Sequence, residues 1–141
     1  MKGIISMSKS SRNSNQEKAM IIIYDALLYS DMGLPYSIKE KISDISEETY
    51  DDSDFYIKEV VVKALLHKED IIKVIEPKLN KWKFSRLNFL AQAILLLSYA
   101  HYNYVQGVEK PIVIDVAINL AKKYLDDGDY KFINAVLDNV L

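Results

Sequence analysis

Two histidines, His67 and His101, and no cysteine are all that this 141-residue chain offers for acid–base, nucleophilic or metal chemistry near neutral pH. A catalytic or metal-binding imidazole needs partners at matched spacing, such as the H-E-x-x-H pair on one helix face. Neither histidine has one, so each reads as a helix-end or packing residue. Without cysteine there is no thiolate nucleophile, disulfide or sulfur-ligated zinc, which fits a reducing compartment. Carboxylates gather twice. Asp126-Asp127-Gly128-Asp129 has a superficial calcium-loop look, but it lacks the roughly 12-residue frame closed by a bidentate glutamate, so it reads as a turn. The run Asp44, Glu47, Glu48, Asp51, Asp52, Asp54 carries no positive charge and reads as a solvated loop or a docking surface for a basic partner. The four glycines are isolated, so they build no phosphate-cradling loop. No enzyme, metal or cofactor is indicated.

The elements that must carry any binding function come from the apolar periodicity. Half of the residues are hydrophobic and only seven are Gly or Pro, so the chain is globular and long enough for one core. Trp82 to Tyr104 reads as a long helix with almost no polar face, and such a helix is either a membrane span or the axis of a bundle. Its uninterrupted apolar run, Ala93 to Leu97, is far short of the roughly 20 residues that a span needs, so it is expected at the centre of the fold. Ser85 is placed to cap it, and Trp82 and Arg86 are expected to close the junction between the two halves of the molecule.

Residues 1–13 are polar and Ser-rich and are expected to form a flexible tail, with the helical domain covering 14–141. Ser14 or Asn15 can cap a first helix bearing Ala19, Ile22, Ile23, Ala26 and Leu27. Ile38, Ile42 and Ile45 mark a short second helix. Asp54 can start a third with Ile57, Val60, Val61, Ala64 and Leu65 inward. Asp70 can start a fourth with Ile71, Ile75, Leu79 and Trp82 on one face and a kink or late start at Pro77. After the central helix, Pro111 opens one with Ile114, Ala117, Ile118 and Ala121, and the last carries Phe132, Ile133, Val136, Leu137 and Val140. The prediction is an all-α single domain of about seven helices. The N-terminus has no signal-peptide core, so a cytoplasmic location is expected.

Net charge is −2, which disfavours a non-specific nucleic-acid binder. The charge is uneven: Lys2, Lys9, Arg12 and Lys18 face Glu17 alone in the first 18 residues.

Four blocks of the sequence resemble one family. Trp82-Lys83-Phe84-Ser85-Arg86-Leu87 with Ala93-Ile94-Leu95 is similar to the W-x-x-x-R-[LI] … A-I-L stretch of the NusB family of bacterial antitermination factors. Ile114 to Tyr124 resembles the family's I-N-E-A-[VI]-E-L-A-K-x-[FY]. Lys131-Phe132-Ile133-Asn134-Ala135-Val136-Leu137-Asp138 resembles K-F-V-N-G-V-L-D, and Glu17-Lys18-Ala19 with Ile23-Tyr24 resembles R-E-x-A … L-Y. The blocks keep family order across about residues 12–138.

The resemblance implies two three-helix half-bundles around a long buried helix, and binding of boxA-type single-stranded RNA together with NusE, a small-subunit ribosomal protein, in the transcription elongation complex. It implies RNA contacts at Lys2, Lys9, Arg12, Lys131 and Phe132, with Tyr24 and His101 toward the protein partner, no membrane, and a monomer or weak homodimer. Several family charges are absent. One arginine, Arg12, stands where the family has a cluster; Ala91-Gln92, Leu96 and Ala100-His101 replace polar residues of the central helix. These losses favour a second reading, a NusB-fold protein-interaction module without RNA binding. A third is an RNA-docking domain like that of some ribosomal RNA methyltransferases.

Overall fold

The computed structural model describes the chain from Lys2 to Leu141, with side chains from Ser14 onward. Among the described residues seven α-helices form: α1 (Lys2–Asp31), α2 (Ile38–Ser46), α3 (Phe55–Leu66), α4 (Lys68–Ile75), α5 (Phe89–Ala100), α6 (Lys110–Tyr124) and α7 (Asp129–Val140). Two 3₁₀ turns, Glu76–Lys78 and Phe84–Arg86, join α4 to α5, and a π-helical turn, His101–Val105, prolongs α5. Among the described residues there is no strand. Helices α1, α2 and α3 pack on one another as one half, and α5, α6 and α7 as the other. α5 also lies against α1 and α3, so it is the shared axis, and α4 bridges from α3 to α7.

Burial explains why α5 takes that place. Every residue from Ala91 to Ser98 is buried, and an apolar surface all round a helix must be covered on every side. Its two polar side chains are satisfied from within. Gln92 Nε2 donates to the Leu87 carbonyl at 2.9 Å, and the Ser98 hydroxyl donates to the Ile94 carbonyl at 2.7 Å. A buried polar group left without a partner would cost about 1–3 kcal/mol.

The helix starts follow local chemistry. Ser37 accepts from the Glu40 N–H, Asp54 from the Ile57 N–H and Asn88 from the Leu90 N–H, each satisfying an orphan donor of a first turn. Pro77 ends α4 two residues early by lacking an N–H, and sits in the 3₁₀ turn that follows. Lys41 of α2 is buried and needs a partner. Its Nζ lies 2.7 Å from Asp25 Oδ2 and 3.2 Å from the Tyr29 ring centroid, which ties α2 to α1.

Three sequence expectations need correction. The central helix begins at Phe89, not at Trp82, because Asn88, not Ser85, makes the cap, and Leu87 is extended at φ −70°, ψ 152°. Trp82 is 62% exposed and Arg86 is exposed, so neither closes a junction; Phe84 and Leu79 are the buried anchors there. Ser14 and Asn15 lie inside α1 and do not cap it. The expected tail at 1–13, and with it Lys2, Lys9 and Arg12, lies outside the described side chains.

Candidate nucleic-acid interface

Two of the candidate RNA residues sit where α6 turns into α7. α6 ends in Lys122-Lys123-Tyr124, whose cations complement the negative end of the helix. The chain then reverses at Asp126–Asp129. The Asp129 N–H donates to the Asp126 carbonyl at 3.1 Å, and Gly128 takes φ +90°, a conformation that side-chain-bearing residues adopt only with strain. That turn starts α7 so that Lys131 is exposed while Phe132 is half-buried against the core. Tyr130 lies beneath Lys122, whose Nζ is 4.7 Å from the ring centroid. Lys122, Asp126, Asp127, Gly128, Tyr130 and Lys131 line an open cleft of about 410 Å³.

Cations beside an aromatic ring suit a phosphate and an unpaired base, but here two aspartates share the cleft. Lys123 is committed elsewhere. Its Nζ lies 2.8 Å from Glu17 Oε1, and the Tyr124 hydroxyl donates to the same carboxylate, which fastens the end of α6 to α1.

The two candidate partner residues are placed apart from this edge. His101 opens the π-helical turn and is 6% exposed. Its Nδ1 lies 3.4 Å from the Tyr56 hydroxyl, with the rings edge-on and their centroids 5.2 Å apart. Burial holds the His101 pKa below its ordinary 6.5. Burial, and secondarily the Asp54 charge, holds the Tyr56 pKa well above its ordinary 10. Both groups are therefore neutral at physiological pH. They line a cleft of about 980 Å³ with Val105, Val108 and Ile112, and with Asp54 and Glu109 as its charged groups. Tyr24 does not line that cleft; it is half-buried on α1 and packs against the core.

A helical chain with this order, a buried α5 and a basic–aromatic α6–α7 corner can be set against known proteins. The sequence profile of the NusB family matches residues 13–141. The chain belongs to the NusB family. The transcription antitermination protein NusB of Treponema denticola is 35% identical over 130 residues, covering 89% of this chain and 94% of that protein. The same protein of Listeria welshimeri is 33% identical over 129 residues, covering 92% and 94%.

Among solved structures, the antitermination factors NusB and NusE in complex with dsRNA superpose with TM-score 0.74 at 25% identity, covering 92% of this chain and 94% of that one. Thermotoga NusB ("T. maritima NusB") superposes at TM-score 0.78 with 20% identity and coverage of 92% and 89%, a likeness of fold. Of the expected Lys131-Phe132 pair, the structure gathers Lys122 and Tyr130 around Lys131. Sequence reasoning missed both, although Lys122 precedes the turn and Tyr130 follows it. Nothing in the sequence signals that Tyr56 meets His101, because the two are 45 residues apart and join only through packing.

As for membranes, no helix among the described residues is long and apolar enough to cross one.

Proposed function

We propose that this chain is a cytoplasmic transcription antitermination factor that binds a boxA-type single-stranded RNA together with a NusE-type ribosomal protein in the elongation complex. It acts by binding alone, with no catalytic step. The observation that carries this reading is the family match across 13–141, with an antitermination protein 35% identical among the relatives. The α6–α7 corner supports it. Lys131 is exposed to solvent and can meet a phosphate, and Phe132, next to it in sequence, is only half-buried. Lys2, Lys9 and Arg12 complete the proposed RNA contacts. The His101 cleft, with two carboxylates and no lysine or arginine among its described lining residues, suits a basic protein partner; Tyr24 is the second proposed partner contact.

Fluorescence anisotropy on a boxA RNA, with and without NusE, tests the reading. Salt-sensitive binding is expected. Phe132→Ala should weaken it at every salt concentration, and Arg12→Ala should lower the slope of log affinity against log salt by about one. Absence of RNA binding in both conditions, with NusE still captured, selects the alternative of a protein-interaction module. That alternative draws on Lys123 being held by Glu17 and on Asp126 and Asp127 flanking Lys131.

A further inference from the structure

The 13 residues from Pro77 to Phe89 hold Lys78, Lys81, Lys83 and Arg86 and not one carboxylate. The rest of the chain sets fourteen lysines and arginines against all twenty acidic residues. The four cations are exposed, and none forms an ion pair among the described residues. Between them stands Trp82, 62% exposed and the only tryptophan in the protein.

Trp82 stands on a fixed frame. Leu79 and Phe84, on either side of it, are 1% and 2% exposed. The Trp82 N–H donates to the Leu79 carbonyl at 3.1 Å, and the Phe84 N–H donates to Glu76 Oε2 at 2.9 Å. That bond occupies Glu76, the nearest preceding carboxylate. The 3₁₀ turn Glu76–Lys78 packs against α7, the helix that carries Lys131 and Phe132. Burying an indole is among the largest gains a side chain can make. Here the chain anchors both neighbours and leaves the indole out.

We propose that the segment 78–86 is a second single-stranded RNA contact surface, in which an unpaired base stacks on Trp82 and Lys78, Lys81, Lys83 and Arg86 meet the phosphates around it. An aromatic face supplies sequence-tolerant stacking, and flanking cations follow the backbone. The core of a protein-docking surface is depleted of charge, whereas every charged residue flanking Trp82 between Pro77 and Phe89 is a cation. The surface adds to the RNA-binding reading above and rests on it for the class of ligand; none of its residues belongs to the α6–α7 corner.

The single tryptophan makes the test local. Emission excited at the red edge of tryptophan absorption, where the ten tyrosines absorb little, reports only Trp82, while anisotropy of labelled RNA reports binding anywhere. An unstructured oligouridylate of roughly 12 nucleotides, within the usual span of a single-stranded site, is expected to quench Trp82 emission in a salt-dependent way. Trp82→Ala should weaken RNA binding about tenfold, Trp82→Phe should restore part of it, and Lys78→Ala with Lys81→Ala should lower the salt slope by about two. Phe132→Ala should weaken binding yet leave the quenching at saturation.

RNA binding by anisotropy with unchanged Trp82 emission overturns this surface and leaves the α6–α7 reading standing. No binding by either signal removes both. A change in emission on adding purified NusE or anionic phospholipid vesicles, with none on adding RNA, overturns the proposal in favour of a protein or membrane contact.

Discussion

α5 and the segment that leads into it are both rich in large apolar residues, yet their fates differ. From Ala91 to Ser98 every position is buried, whereas Trp82 is 62% exposed seven residues before α5 begins. The difference lies in the polar residues between the apolar ones. In α5 the interior polar side chains are Gln92 and Ser98, and each returns a hydrogen bond to a carbonyl four or five residues back. In the preceding segment Lys83, Ser85, Arg86 and Asn88 interrupt the apolar residues almost one for one, so a helix there would have the charges of Lys83 and Arg86 on one face and the polar Ser85 and Asn88 on the opposite one. The chain instead buries Phe84 alone, keeps Leu87 extended, and lets Asn88 start the helix. Hydrophobic content sets what can be buried. The spacing of polar groups decides what is.

This contrast breaks most visibly at the centre of α5. Leu95→Ala empties a fully buried site and should cost about 2–5 kcal/mol in urea unfolding. Trp82→Ala, by contrast, should stay within about 0.5 kcal/mol of the parent, as surface changes do. Equal losses for the two would mean that Trp82 is packed in solution and would remove the contrast. The boundary itself is the next largest effect. Asn88→Ala removes the acceptor 2.7 Å from the Leu90 N–H and should cost about 1 kcal/mol, while Ser85→Ala should change stability little. The opposite ranking would place the start of the helix at Ser85.

The seven helices were readable because their inward faces repeat at three- and four-residue steps. Ile57, Val60, Val61 and Ala64 are all buried, as are Ile114, Ala117 and Ala121. The error at Trp82–Asn88 came from counting bulk apolar residues as one continuous helix across a stretch whose polar residues nearly alternate. The bridging ring of the α4 face failed for the same reason. Ile71, Ile75 and Leu79 are buried as their spacing requires, but the chain turns at Pro77 and Trp82 points away from that stripe into solvent.

The candidate site was less legible. Lys131 and Phe132 could be placed from a motif, but the Glu17 grip on Lys123 and Tyr124 joins positions 106 and 107 residues apart, which no local pattern reveals. The cations that matter for binding are those left unpaired by such long-range contacts, and that count exists only in the folded chain.

The smallest expected effect lies at the far end of α5, where His101 and Tyr56 set a pH window. His101 is held below its ordinary 6.5 by burial, so the unfolded chain binds its proton more readily than the folded one. Stability therefore rises with pH through the interval that ends near 6.5, and it is lost as pH falls below that value, down to the folded-state pKa. Tyr56 acts at the opposite limit. Burial and the Asp54 charge keep its proton on in the folded state above the ordinary 10, so stability falls as pH rises past 10. His101→Gln deletes the acid limb and leaves the alkaline one.

Carboxylates elsewhere add their own acid destabilisation, so the useful quantity is the difference between parent and variant in urea midpoint at about pH 7.5 and about pH 5.5. That difference should shift in favour of the variant on acidification. Parallel curves would show that His101 gains its proton as easily in the fold as out of it, which means that the cleft around Tyr56 admits water to the imidazole. The end of α5 would then resemble the exposed segment before it more than its own buried centre.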